Sequence, residues 1–104
     1  MKLVWLARAR SARTEAIEYI AADSPRAALA QLDQIERQTD MLLLHPELGR
    51  PGRVKATREL VISHTPFIVI YRVRPRAKRI ELLNLVHSSR QWPPVKGESS
   101  SDRF

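Results

Sequence analysis

The chain has no cysteine, which excludes disulfide staples and thiolate metal sites and suits a reducing cytosol. It also lacks a long apolar run near its start. Leu3 to Ala7 is too short for the core of a secretion signal or for a membrane span. No Gly-rich phosphate loop, EF-hand or zinc-ligand spacing occurs, and no internal repeat is visible. These absences point to a cytoplasmic protein with no metal, no cofactor and no membrane association. The 104 residues, 43% hydrophobic, suffice for one domain that buries roughly two-thirds of its unfolded surface.

Acidic residues are scarce in one half only. Residues 1–49 carry six Lys/Arg against seven Asp/Glu, whereas residues 50–90 carry ten against Glu59 and Glu81 alone. The formal charge of +7 therefore sits on Arg50, Arg53, Lys55, Arg58, Arg72, Arg74, Arg76, Lys78, Arg79 and Arg90. Clustered cations of this kind predict a polyanionic target or an acidic protein partner. The plainer alternative is a solvated basic surface.

Taken in order, Lys2 to Trp5 is a short strand candidate. Ala7 to Ala22, rich in alanine with Ile17 and Ile20 on one stripe, predicts an amphipathic helix. Asp23-Ser24-Pro25 stops it and starts another, with Ser24 as cap and Pro25 in a first turn that needs no N–H. The second helix, Pro25 to about Leu44, places Ala28, Leu32, Ile35, Thr39 and Leu42 along one stripe. So short a break folds the two helices into an antiparallel hairpin. His45 to Gly52 is a loop dense in breakers.

Arg58 to His87 then reads as three strands, RELVI, FIVIYRV and RIELLNLVH, separated by proline-containing turns. In the middle strand Phe67, Val69, Tyr71 and Val73 share one face, and Ile68, Ile70, Arg72 and Arg74 share the other. The second apolar patch, Ile68 with Ile70, predicts a cover supplied by more of this chain or by a partner. The resulting order, β-α-α-β-β-β, is an α+β domain in which a short N-terminal strand and a helical hairpin pack on a small antiparallel sheet. The domain spans residues 1–93, and residues 94–104 read as a polar, flexible tail.

HPELGRPGR after a helical hairpin, then TRELV, FIVIYRV and IELLNLVHSSRQWP, resembles the RelE/ParE superfamily of bacterial type II toxins over nearly all of residues 1–93. The resemblance implies a small growth-inhibiting toxin of the plasmid-stabilisation type, bound and silenced by a cognate antitoxin in a hetero-oligomer. ParE-like members poison DNA gyrase; RelE-like members enter the ribosome and cut mRNA. Fold alone does not choose between them.

Cleavage of RNA by its own 2′-hydroxyl needs a base, an acid and cations for the phosphorane. His87, with Arg58 and Arg90, is the candidate catalytic set. The plainer alternative makes His87 and Arg90 a polar strand-end contact or a partner contact. His64, in a turn, reads as exposed, and Tyr71 as core. RelE-like nucleases carry an arginine directly after the aromatic that opens the middle strand; here that residue is Ile68. They carry a lysine pair on the preceding strand, where this chain has Glu59-Leu60-Val61. An isoleucine cannot stabilise a phosphorane, so the departure favours the ParE-like branch and a non-enzyme. The partner- or nucleic-acid-binding set is then Arg53, Lys55, Arg58, Ile68, Ile70, Arg72, Arg74 and Arg90. A ribosome-dependent mRNA endonuclease is the first alternative, and a non-toxic basic module or degenerate toxin the second.

Overall fold

Ser24 is the pivot of the helical half. In the computed structural model, which describes residues 1–89, its hydroxyl accepts the Ala27 N–H at 3.1 Å, and Pro25 occupies the first turn of the helix it caps. Ser24 also donates its own N–H to Ile20 O at 2.8 Å. One residue thus ends α1 (Ala7–Asp23) and starts α2 (Pro25–Asp40). The second helix is shorter than its apolar stripe suggests, because Met41–Leu43 tightens into a 3₁₀ turn. Leu42 remains fully buried in that turn.

The strands are β1 (Lys2–Trp5), β2 (Arg50–Pro51), β3 (Arg58–Val61), β4 (Phe67–Arg74) and β5 (Arg79–His87). They form one sheet in the order β1-β5-β4-β3-β2. Two features correct the expected small antiparallel sheet. First, β1 lies parallel to β5, with Lys2 opposite Arg79 and Trp5 opposite Leu82. A four-residue strand whose partner is the last strand in the chain reveals neither neighbour nor direction locally. Second, the breaker-rich loop contributes β2, which pairs with β3. Pro51 is tolerated there because an edge strand does not need its missing donor.

The helices cover one face of the sheet. Ala9, Ile35 and Leu42 meet Phe67, Val69, Tyr71, Ile80, Leu82 and Leu85, with Ile17 and Ile20 packed at the margin. The Thr39 hydroxyl sits inside this layer and donates to Ile35 O at 2.8 Å, so its burial leaves no orphan donor. The Arg13 guanidinium lies 4.4 Å from the centre of the Trp5 ring, a cation–π contact that ties α1 to β1. On the far face Ile68, Ile70 and Val86 form a second cluster with Leu83. Ile70 is fully buried and Ile68 nearly so.

A bulge sets the phase of β5. Ile70 faces Asn84 but Tyr71 faces Leu82, so Leu83 is the extra residue. Leu82 and Leu85, three apart, can then both join the helix-facing core. The β3–β4 turn is latched to α2 by a paired contact. Gln38 Nε2 donates to Ser63 O at 3.0 Å, and Ser63 N–H donates to Gln38 Oε1 at 2.8 Å.

Ile35 is the α2 residue at the centre of this core. Ile35→Ala is expected to cost about 2–5 kcal/mol, read as a lower urea midpoint with an unchanged m-value.

Candidate functional site

The loop between the helical half and the sheet is fixed by one phenol. Tyr71, fully buried on the central strand, donates its hydroxyl proton to Pro46 O at 2.8 Å. The same oxygen accepts the Gly49 N–H at 2.8 Å. A Cβ on Gly49 would stand 2.7 Å from Tyr71 Cε1 and 2.9 Å from Glu59 O, so the close approach requires glycine. Arg58 completes the clamp, with Nη1 donating to Gly49 O at 2.6 Å and to Glu47 O at 3.4 Å. The strand-opening arginine therefore holds the chain's own loop. Burial pushes the Tyr71 phenol above its ordinary pKa of 10.0; the Gly49 N–H and the Arg58 charge partly oppose this.

The two acids of the basic half both lie inside. Glu59 is 3% exposed. It accepts Arg50 Nη2 at 3.1 Å and the Arg53 backbone N–H at 3.1 Å, with Arg53 Nε at 3.9 Å. Glu81 is 2% exposed and gathers three guanidiniums. Arg72 Nε and Arg79 Nε each donate at 2.6 Å, and Arg74 Nη1 stands at 3.6 Å. Hydrogen bonding from Arg72, reinforced by Arg79 and opposed by burial, holds the Glu81 carboxyl below its usual 4.5. Five of the ten cations thus surround two carboxylates that the sequence reading left unassigned. The strand register places Arg50 opposite Glu59 and Arg72 opposite Glu81, while Arg79 meets Glu81 along its own strand.

His87 closes β5, opposite the first residue of β4. It pairs with Phe67, and its ring meets the Phe67 ring edge-on at 5.9 Å. Its Nδ1 lies 2.8 Å from Ser89 Oγ and accepts the Ser89 N–H at 3.2 Å. Arg58 pairs with Tyr71, four residues along the same strand, a displacement of about 13 Å. His87 and Arg58 are therefore not brought together, and Arg90 lies outside the described residues. Arg53, Lys55 and Arg74 are exposed, Arg58 and Arg72 half-buried, and Ile68 and Ile70 buried. His64 sits in the β3–β4 turn with a φ of 68°.

Beside His87 an open groove of about 1010 Å³ runs between α1 and β5, lined among others by Ala7, Ser11, Ala12, Asn84 and Gln31. Asn84 Nδ2 and Gln31 Oε1 are buried there without a hydrogen-bond partner among the described residues. Among the described residues no cluster of His, Asp or Glu could hold a metal ion. No helix among them is long and apolar enough to cross a membrane.

Removing the phenolic oxygen isolates this design. Tyr71→Phe strands the Gly49 N–H and the Pro46 carbonyl, and is expected to cost about 1–3 kcal/mol in chemical denaturation. Because the folded pKa is raised, the wild-type contribution is complete below the unfolded value of 10.0 and is lost as pH rises through the folded value. The Phe variant should lack that alkaline loss. Glu81 has the opposite sign. Its folded pKa is lowered, so its contribution is complete above 4.5 and disappears as pH falls through the folded value. Glu81→Gln should flatten that part of the acid unfolding profile and lower stability at neutral pH.

Comparison with known proteins bears on the same elements. The family model described as "ParE toxin of type II toxin-antitoxin system, parDE" matches residues 3–92. The chain is 38% identical over 94 residues to Y4kP of Sinorhizobium fredii (strain NBRC 101917 / NGR234), a protein whose name puts it forward as a toxin. The match covers 90% of this chain and 95% of that protein. Among solved structures, "Chromosomal ParDE TA system from P. aeruginosa" superposes with a TM-score of 0.73 at 27% identity, over 84% of this chain and 95% of that one. The chain belongs to the ParE toxins of type II toxin–antitoxin systems.

Proposed function

We propose that this toxin arrests growth by acting on DNA gyrase in the cytoplasm, and that a cognate antitoxin silences it by direct binding. The observation that carries the reading is the separation of His87 from Arg58. One pairs with Phe67, and the other pairs with Tyr71 and is committed to the Gly49 carbonyl. The aliphatic Ile68 lies buried between them on β4, and an aliphatic side chain there cannot stabilise a phosphorane. The sheet half then serves for docking, with Arg53, Lys55, Arg72 and Arg74 on its cationic surface. Ile68 and Ile70 act by holding that surface in shape, and Arg58 by holding the loop.

The antitoxin reading draws on the groove between α1 and β5. Past Leu82, β5 has no strand on its β1 side among the described residues, because β1 ends at Trp5. An unpaired strand edge beside the unsatisfied Asn84 Nδ2 and Gln31 Oε1 is suited to an added peptide main chain.

Inducible expression tests the target. Cleaved gyrase–DNA complexes and a DNA-damage response should accumulate before translation falls. Early arrest of translation without DNA breaks would reject gyrase. His87→Ala should remain fully toxic in the same cells, whereas loss of toxicity with unchanged antitoxin affinity and melting temperature would restore the nuclease reading.

A further inference from the structure

The β4–β5 hairpin end carries a charge excess that neither the loop clamp nor the groove uses. From Arg72 to Glu81 the sequence RVRPRAKRIE holds five cations and one carboxylate. Arg74 and Arg79 are directly opposed across the two strands, an arrangement that is destabilising for like charges. Glu81 resolves the conflict by bonding Arg72 and Arg79 and standing 3.6 Å from Arg74. The three arginine side chains nevertheless remain 41–46% exposed. A guanidinium has five donors in a fixed fork, so each keeps N–H groups for an outside acceptor after meeting the carboxylate. The turn extends the array. Lys78, at φ 53°, donates its backbone N–H to Pro75 O at 3.1 Å. Neither Arg76 nor Lys78 has a side-chain ion pair among the described residues.

We infer that this hairpin end is a phosphate-backbone grip for duplex DNA, independent of sequence. Two absences select that partner. Residues 74–79 are all exposed and offer no side chain more apolar than Pro75 and Ala77. Protein interfaces centre on anchors that fill well-packed, desolvated pockets, aromatic side chains foremost with arginine. This segment has no aromatic to set among its arginines, whereas a duplex backbone is held by cations alone. The large exposed hydrophobics, among them Tyr19, Leu44 and Val61, lie on other elements. No aromatic occurs between Arg72 and Glu81 to stack on bases, and the preceding Tyr71 is buried, which disfavours single strands. A two-stranded ribbon also has dimensions that the major groove admits. Arginine suits the contact because its fork meets phosphate oxygens in pairs. The inference does not depend on gyrase, since it concerns the isolated chain and DNA.

Fluorescence anisotropy of the purified chain on a labelled duplex of roughly 20 base pairs, titrated with salt, tests it. Five phosphate contacts predict a slope of log K against log salt of about −4.5. A duplex of scrambled sequence should bind equally well. Arg76→Gln with Lys78→Gln touches no described ion pair, should melt at the wild-type temperature, and should reduce the slope by about 2. If the double variant folds poorly, each single variant should reduce it by about 1. An unchanged slope, no binding at low salt, or tighter binding of single strands would overturn the inference. So would displacement of the duplex by a poly-glutamate peptide at equal charge concentration, which would assign the hairpin to an acidic protein. Success or failure here leaves the gyrase assignment standing, because that is read separately from cleaved complexes in cells.

Discussion

The buried hydroxyl of Tyr71 is the contact on which the arrangement of the sheet half depends. It lies on the central strand, faces the helices, and still reaches both Pro46 and Gly49 in the loop that follows the helical hairpin. The loop must come close enough for that bond, which makes Gly49 obligatory, and Arg58 closes it from the next strand. Once the loop is held, Arg50 lies opposite Glu59 and β2 can pair with β3. A buried phenol without partners would leave an unsatisfied hydroxyl costing about 1–3 kcal/mol. With both partners present it couples core, loop and edge strand.

The electrostatics follow a related logic. A half-domain with ten cations and two acids would repel itself if the acids were on the surface and the cations unplaced. Instead the two glutamates occupy cross-strand positions where burial would penalise them unless arginines came to meet them. Arg50 and Arg53 come to Glu59; Arg72, Arg74 and Arg79 come to Glu81. The carboxylates therefore order the surface cations, and the hairpin end presents arginines in set positions. A ParE-family toxin built this way keeps its positive field while removing its worst repulsions.

Much of the fold is legible along the chain. Ser24-Pro25 marks the helix break by its chemistry, and the alternation of Phe67 to Val73 separates the two faces of β4. The loop residues Pro46, Gly49 and Gly52 announce a turn but not its purpose. The β5 strand is less transparent, because the bulge at Leu83 shifts its phase and puts Leu82 and Leu85 on one side. Strict alternation would assign those two residues to opposite faces. Arg58, eligible by type for phosphate or partner contact, turns out to hold the Gly49 carbonyl. Nothing in the neighbouring residues signals that use, since its acceptor lies nine positions away.

The sequence by itself determined the two helices, four of the five strands and their order, the charge asymmetry and the family resemblance. Each of these rests on local chemistry: periodicity, capping, breakers and residue type. The tertiary structure alone decided that β1 runs parallel to β5 and that Glu59 and Glu81 organise the arginines. It also decided that Tyr71 is a structural tie and that His87 stands apart from Arg58. These depend on strand register and on backbone contacts between distant segments. A side chain's identity states what it can bond, but only the fold determines which partner comes within 3 Å of it.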